Sequence, residues 1–97
     1  MNTIHIVSID VVENSRELKN EKPHYGEFER AYDAAFSSYE RARRFALEWL
    51  RDEFRYLLSD PKTADFVEFA DYGTERAVWY NGGQIGIANI AAVDFLG

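Results

Sequence analysis

The segment from Ser37 to Leu58, SSYERARRFALEWLRDEFRYLL, carries apolar residues at helical spacing, and this pattern constrains the fold more than any other stretch of the chain. Ala42, Phe45, Ala46, Trp49, Leu50, Phe54 and Leu57 recur at intervals of three and four, while Arg43, Arg44, Glu48, Arg51, Asp52 and Arg55 fill the opposite side. Ser37 followed three positions later by Glu40 has the spacing of a capping box, in which each side chain satisfies a backbone N-H that the first turn leaves unpaired. A helix is therefore predicted to start at Ser37. It is predicted to end near Ser59, because Pro61 disfavours helical geometry for Asp60 and cannot continue the hydrogen-bond ladder.

A helix with one apolar stripe needs a surface to cover, and the flanking sequence supplies strands. Thr3 to Val12 is dense in β-branched residues and reads as a strand; its near-continuous apolarity suggests an inner one. Glu13 to Gly26 is polar and contains Pro23, so a loop or wide hairpin connection is expected. Residues 27–36, EFERAYDAAF, fit either a strand or an earlier turn of helix; a strand is preferred, because a fresh cap at Ser37 makes less sense inside a running helix. Asp65 to Ala70 reads as a short strand and Asp71 to Thr74 as a turn. Arg76–Tyr80 and Gln84–Ile90 flank Asn81-Gly82-Gly83, a strong hairpin signal. Gly86 marks a bulge or a close backbone approach, and Ala91 to Gly97 is expected to pack back on the body. The predicted class is α+β: an antiparallel sheet of three to five strands, in ββαββ or βαββ order, with one long amphipathic helix on one face. All 97 residues are expected to form one domain.

Composition narrows the chemistry. With no cysteine there is no disulfide, thiolate zinc site or thiol nucleophile. The N-terminal MNTIHIVSIDVV is too short to span a bilayer, lacks the basic start of a signal peptide and carries Asp10, which predicts a cytoplasmic protein with no membrane association. The net charge of -6 argues against direct nucleic-acid binding, which needs clustered Lys and Arg. Residues 38–58 balance at +1, leaving -7 elsewhere, and residues 60–75 carry Asp60, Asp65, Glu68, Asp71 and Glu75 against Lys62 alone. Such a run is either a solvated surface or a site for a basic partner.

No catalytic constellation stands out. His5 and His24 have no companions at ligand spacing, so neither metal nor cofactor is expected and the chain is not expected to be an enzyme. Ser37 is better explained as a cap than as a nucleophile, and Ser8, Ser38 and Ser59 lack a nucleophile-elbow context. Gly82-Gly83 precedes a strand rather than a helix and is no phosphate loop. Asp52-Glu53, and Glu68 facing Glu75 or Arg76 across strands, are the paired carboxylates, with no cleft expected to hold a substrate between them. Glu40–Arg44, Glu48–Arg51 and Asp52–Arg55 are spaced as helix ion pairs.

The aromatics Tyr25, Tyr72, Trp79 and Tyr80 fall outside the helical stripe. Tyr and Trp are enriched at binding hot spots. Asp65, Glu68, Asp71 and Glu75 with Tyr72, Trp79 and Tyr80 are thus the candidate partner-binding set, an acidic patch with aromatic anchors suited to an Arg/Lys-rich protein surface. A strand pair leading into AFSSYERARRFA, closed by a VWYNGGQIGI hairpin in a short acidic chain, resembles the small proteins of phages and mobile elements, of which anti-CRISPR proteins are a functional group. The resemblance lies in overall design and carries over no functional residue. It implies stoichiometric inhibition of a host nucleoprotein complex, such as a CRISPR-Cas effector, by masking a basic groove. Two other readings stand beside it: a homodimeric structural or regulatory module joined through an edge strand or the helix face, and a small hydrolase or nuclease using His5 or His24.

Overall fold

The computed structural model describes residues 2–18 and 27–95 of the chain. Strands β1 (Asn2–Val12), β2 (Phe28–Phe36), β3 (Val67–Asp71), β4 (Glu75–Tyr80) and β5 (Gly83–Phe95) join in one antiparallel sheet, in the order β2-β1-β5-β4-β3. Helices α1 (Tyr39–Glu53) and α2 (Arg55–Leu58) follow β2, and a 3-10 turn at Ala64–Phe66 leads into β3. The preference for a strand over 28–36 resolves as expected. The long N-terminal strand β1 is an inner strand, between β2 and β5, and β5 is central.

The helical region departs from the expected single rod. Phe36 still belongs to β2, so the chain turns through Ser37 and the N-cap is Ser38, whose Oγ accepts from the Arg41 backbone N-H at 3.1 Å. The residue three beyond this cap is arginine, which cannot complete the box assigned to Ser37 and Glu40. At the other end, Phe54 leaves helical geometry (φ -104°, ψ 19°) and divides α1 from the single turn of α2. Its ring is nevertheless fully buried, as are Ala42, Ala46, Leu50 and Leu57. Phe45 and Trp49, expected on the inward stripe, lie half-buried at its flank.

Alternation along the strands decides what this layer meets. On β1, His5, Val7, Ile9 and Val11 face α1; on β5, Gly86, Ala88 and Ile90 do so; on β4, Arg76, Val78 and Tyr80. Gly86 lies directly beneath the helix: a Cβ there would stand 2.9 Å from the Phe54 ring and 3.2 Å from Leu50 Cδ2. Of the two sequence-based readings of this glycine, close approach is the one it fulfils directly, and the ladder also shifts register between Val78 and Trp79, beside it.

The β4–β5 connection follows its Asn-Gly signal, with both Asn81 (φ 52°) and Gly82 (φ 81°) in the left-handed region that a type I′ turn requires. Two boundaries differ from expectation. The segment before β3 is a 3-10 turn rather than strand, and β5 does not stop at Ile90. It runs on to Phe95, paired with Asn2–Ile6 of β1, so Ala91 to Asp94 extend the sheet instead of folding back on the body. The molecule is correspondingly elongated, with principal extents of 50 × 23 × 19 Å. No described helix is long and apolar enough to cross a membrane.

Gly86→Ala is expected to lower stability by about 1–3 kcal/mol, the usual cost of forcing an extra methyl into a packed core. Urea unfolding measures it, and adding Phe54→Leu to the variant should recover part of the loss by vacating the space the methyl needs.

Candidate functional site

The same alternation that buries one set of strand residues turns the other set outward, and no described element covers that second face. Ile4, Ile6, Ser8 and Asp10 of β1 lie on it, beside Ile87, Asn89, Ala91 and Val93 of β5. Ala77 and Trp79 extend it across β4, and Ala70 and Glu68 across β3. A one-sided antiparallel sheet ordinarily alternates apolar inward with polar outward. Here apolar side chains lie to either side of a polar row, Asp33–Ser8–Asn89–Glu75: Ile4, Ile6, Ala91 and Val93, the last 44% exposed, toward one end, and Ile87, Ala70 and half-buried Trp79 toward the other, with Ala77 between them buried.

Charge on this face is one-sided. Asp10, Asp33, Glu68 and Glu75 stand against Arg30, a balance of -3. Arg30 donates to Asp10 (Nε to Oδ1, 2.7 Å) and to Asp33 (Nη1 to Oδ1, 2.7 Å), and the bond to Asp10 holds the guanidinium pKa above its ordinary value. Glu68 sits opposite Trp79 and Glu75 opposite Asn89, at the β3–β4 side of the face. The opposite layer carries Arg41, Arg43, Arg44, Arg51 and Arg55 against Glu40, Glu48, Asp52 and Glu53, a balance of +1. Of the three ion pairs expected along the helix, Asp52–Arg55 closes at 2.7 Å, whereas Glu40–Arg44 and Glu48–Arg51 form no ion pair; Arg51 lies over the Phe69 ring instead, and Arg43, outside the three, pairs with Asp71.

The candidate residues are divided by this geometry. Glu68, Glu75 and Trp79 share the open face. Asp65 and Tyr72 are exposed on the 3-10 turn and at the β3–β4 turn, Tyr72 at 64%. Tyr80 is a core residue, 2% exposed, because it follows Trp79 by one position and therefore points to the other side. Asp71 also lies on the helix side and is neutralised there. Its Oδ2 accepts from Arg43 Nη2 at 2.9 Å, its Oδ1 accepts from the Gly73 N-H at 2.9 Å, and Arg76 Nη2 is 3.4 Å away. The Gly73 bond, joined by Arg43 and Arg76, holds the Asp71 carboxyl below its ordinary pKa, against a smaller opposing effect of burial. Asp71, rather than Glu68, thus faces Arg76 across the β3–β4 pair. Tyr25 and His24 lie outside the described residues.

Arg76 is the largest fully buried side chain, at 1% exposure. Its Nη2 donates to the Tyr39 hydroxyl at 2.8 Å, Tyr39 in turn donates to the Gly73 carbonyl, and the guanidinium carbon lies 5.7 Å from the Tyr39 ring centre. His5 meets the same ring edge-on. These contacts fasten the start of α1 to the β3–β4 turn.

Asp10, Asp33 and the isoleucines Ile4, Ile6 and Ile87 were absent from the candidate set. Part of their signal was present in the near-continuous apolarity of β1, where Ile4 and Ile6 alternate with the inward His5, Val7 and Ile9 and so make the outer face partly apolar as well. Among the described residues no three histidine or carboxylate side chains gather as a metal set. No protein-family model, curated protein or solved structure matches the chain.

A lowered folded-state pKa makes Asp71 stabilising above its unfolded value near 3.8, and that contribution is lost as pH falls through the folded value. Asp71→Asn is therefore expected to be less stable than the native chain at pH 7, with the gap closing as the pH falls below 3.8 and through the folded value. Urea midpoints collected across the acid range measure it; a gap independent of pH would show that the carboxylate charge contributes nothing.

Proposed function

We propose that this protein is a non-enzymatic binding protein of the cytoplasm whose open sheet face covers a basic surface of a host nucleoprotein complex, inhibiting it as anti-CRISPR proteins do. The observation that carries the reading is the coincidence, on one face that no described element covers, of two apolar stretches and an acidic balance. Apolar area supplies the non-directional part of association. The carboxylates of Glu68 and Glu75 at one side, and of Asp10 and Asp33 at the other, favour a cationic counterpart and speed its approach. A nucleic-acid-binding groove has the required complement, since Lys and Arg there are interleaved with residues that otherwise contact bases and sugars. Two such faces of one sign repel each other, which disfavours the stacking of two copies face to face.

Compared with the expected set of Asp65, Glu68, Asp71, Tyr72, Glu75, Trp79 and Tyr80, the surface is redrawn, and Asp65 and Tyr72 lie on turns rather than on the face. Asp71 and Tyr80 drop out of it, and Asp10, Asp33, Ile6 and Ile87 enter. Trp79, at the hairpin end of β4, becomes its aromatic anchor, flanked by Glu68.

A photoreactive residue at position 87 is expected to crosslink the partner in host lysate, whereas the same residue at position 48, on the outer side of α1, is not. With the purified partner, Glu68→Lys combined with Glu75→Lys should weaken binding by about tenfold or more and flatten its salt dependence, in line with the loss of charge complementarity. Saturating the partner should displace its nucleic acid. Crosslinking from position 48 alone, or a saturated partner that still holds its nucleic acid, would overturn the proposal.

A further inference from the structure

Strand β2 is an edge of unusual character. It pairs with β1 on one side, runs nine residues from Phe28 to Phe36, contains neither proline nor lysine, and has no fully buried side chain. The other edge, β3, has five residues and is pinned at its end by Asp71. Long exposed edges are templates for another strand, and the bulge at Ala31 and the charges of Glu29, Arg30 and Asp33 decide which strands they admit. Of the large hydrophobic side chains exposed on the molecule, Phe28 (41%) and Tyr32 (49%) both belong to β2. Half-buried Phe45 of α1 leans over the same edge, 5.7 Å from the Tyr32 ring and 5.0 Å from that of Phe36.

The charges on β2 select an occupant. In a regular strand, residues three apart point to opposite faces, yet Arg30 and Asp33 share one. The register slips between Ile9 and Asp10, so that Ile9 faces Tyr32 while Asp10 faces Arg30, and Ala31 is left as the extra residue of a bulge. Arg30 and Asp33 thereby stand one step to either side of Tyr32, on the face opposite to its ring. We propose that a second copy of this chain pairs with β2 edge to edge and antiparallel, about a two-fold axis through Tyr32, to form a continuous ten-stranded sheet.

About that axis each strand presents what the other needs. Arg30 lies opposite Asp33 of the second copy, and the symmetry makes this pair twice. Glu29 falls opposite Ala34 and Phe28 opposite Ala35, so no like charges meet. Moving the axis one step toward either end sets Asp33 against Asp33 or Arg30 against Arg30, which is unfavourable for residues directly opposite in a sheet. A self-complementary patch of this kind is the requirement for an isologous dimer. Because the axis runs normal to the sheet, both open faces stay on the same side and both remain uncovered. The pairing therefore stands independently of the binding role given to that face.

The chain has no cysteine, which makes the test direct. Residues paired across an antiparallel ladder have Cα atoms about 4.5–5.5 Å apart, within the range a disulfide spans. Tyr32→Cys is expected to oxidise to a covalent dimer, and Ala35→Cys, which faces Phe28 of the second copy, is not. In sedimentation equilibrium the unmodified protein should show twice its 11.2 kDa mass. Asp33→Arg and Arg30→Asp should each sediment as monomers when alone and as a dimer when mixed, since the mixture restores opposite charges at both pairs. An unmodified chain that stays at 11.2 kDa at the highest soluble concentration overturns the proposal, and that measurement involves no substitution. So does a dimer whose Tyr32→Cys variant fails to crosslink, because such a dimer is joined elsewhere.

Discussion

The close seat of Leu50 and Phe54 on the backbone at Gly86 is the contact from which the rest of the structure follows. With no Cβ at that position, the helical layer comes near enough for residues as small as Ala42 and Ala46 to be fully buried against the sheet. Small helix residues then become an advantage, since a larger side chain at either place would lift α1 from Val7 and Ile9. Phe54 completes the seat only by departing from helical geometry. The break between α1 and α2 is thus coupled to the contact itself: the ring is fully buried where the backbone turns, and Leu57 of the following turn is fully buried in the same core.

Much of this architecture is legible in the chain before any coordinates. The helical phase of Ala42, Ala46 and Leu50, the β-branched run of β1, the Asn81-Gly82 turn and the unexplained Gly86 all state local preferences that the tertiary structure agrees with. What fails to show is anything fixed by a choice between near-equal neighbours. Ser37 and Ser38 are both good caps, and which of them serves depends on where β2 releases the chain. Trp79 and Tyr80 are both large aromatics in a hairpin, and only the register with β5 decides that Tyr80 enters the core while Trp79 faces out. Asp71 reads as part of an acidic run, and only its place on the helix side of β3 brings it to Arg43 and Arg76.

Strand parity also sorts the charge. In the sequence a net of -6 shows a mildly basic helix and an acidic run over 60–75, but folding leaves Asp10, Asp33, Glu68 and Glu75 together on the face opposite the helix. Asp71 is the exception that makes the separation sharper, since it crosses to the arginine side and is neutralised there. Acidic residues far apart in the chain are gathered in this way without being adjacent in it. That is why a window over residues 60–75 finds only part of the surface, and includes residues that do not belong to it.

The extent of the open surface is set by a mismatch of lengths. A helix rises about 1.5 Å per residue, so the 15 residues of α1 span about 22 Å. A strand rises about 3.3 Å per residue, so the 13 residues of β5 span about 43 Å. One helix of this length cannot cover both the width and the length of such a sheet even on the side it occupies, and nothing described covers the other. Extra strand length adds ladder hydrogen bonds between β1 and β5 without adding core, as the exposed run from Ala91 to Asp94 shows. If stability alone had shaped this chain, those residues would be polar on both sides. Ile4, Ile6 and Val93 are not, so an apolar ribbon runs past the helix on the face that we propose a partner covers.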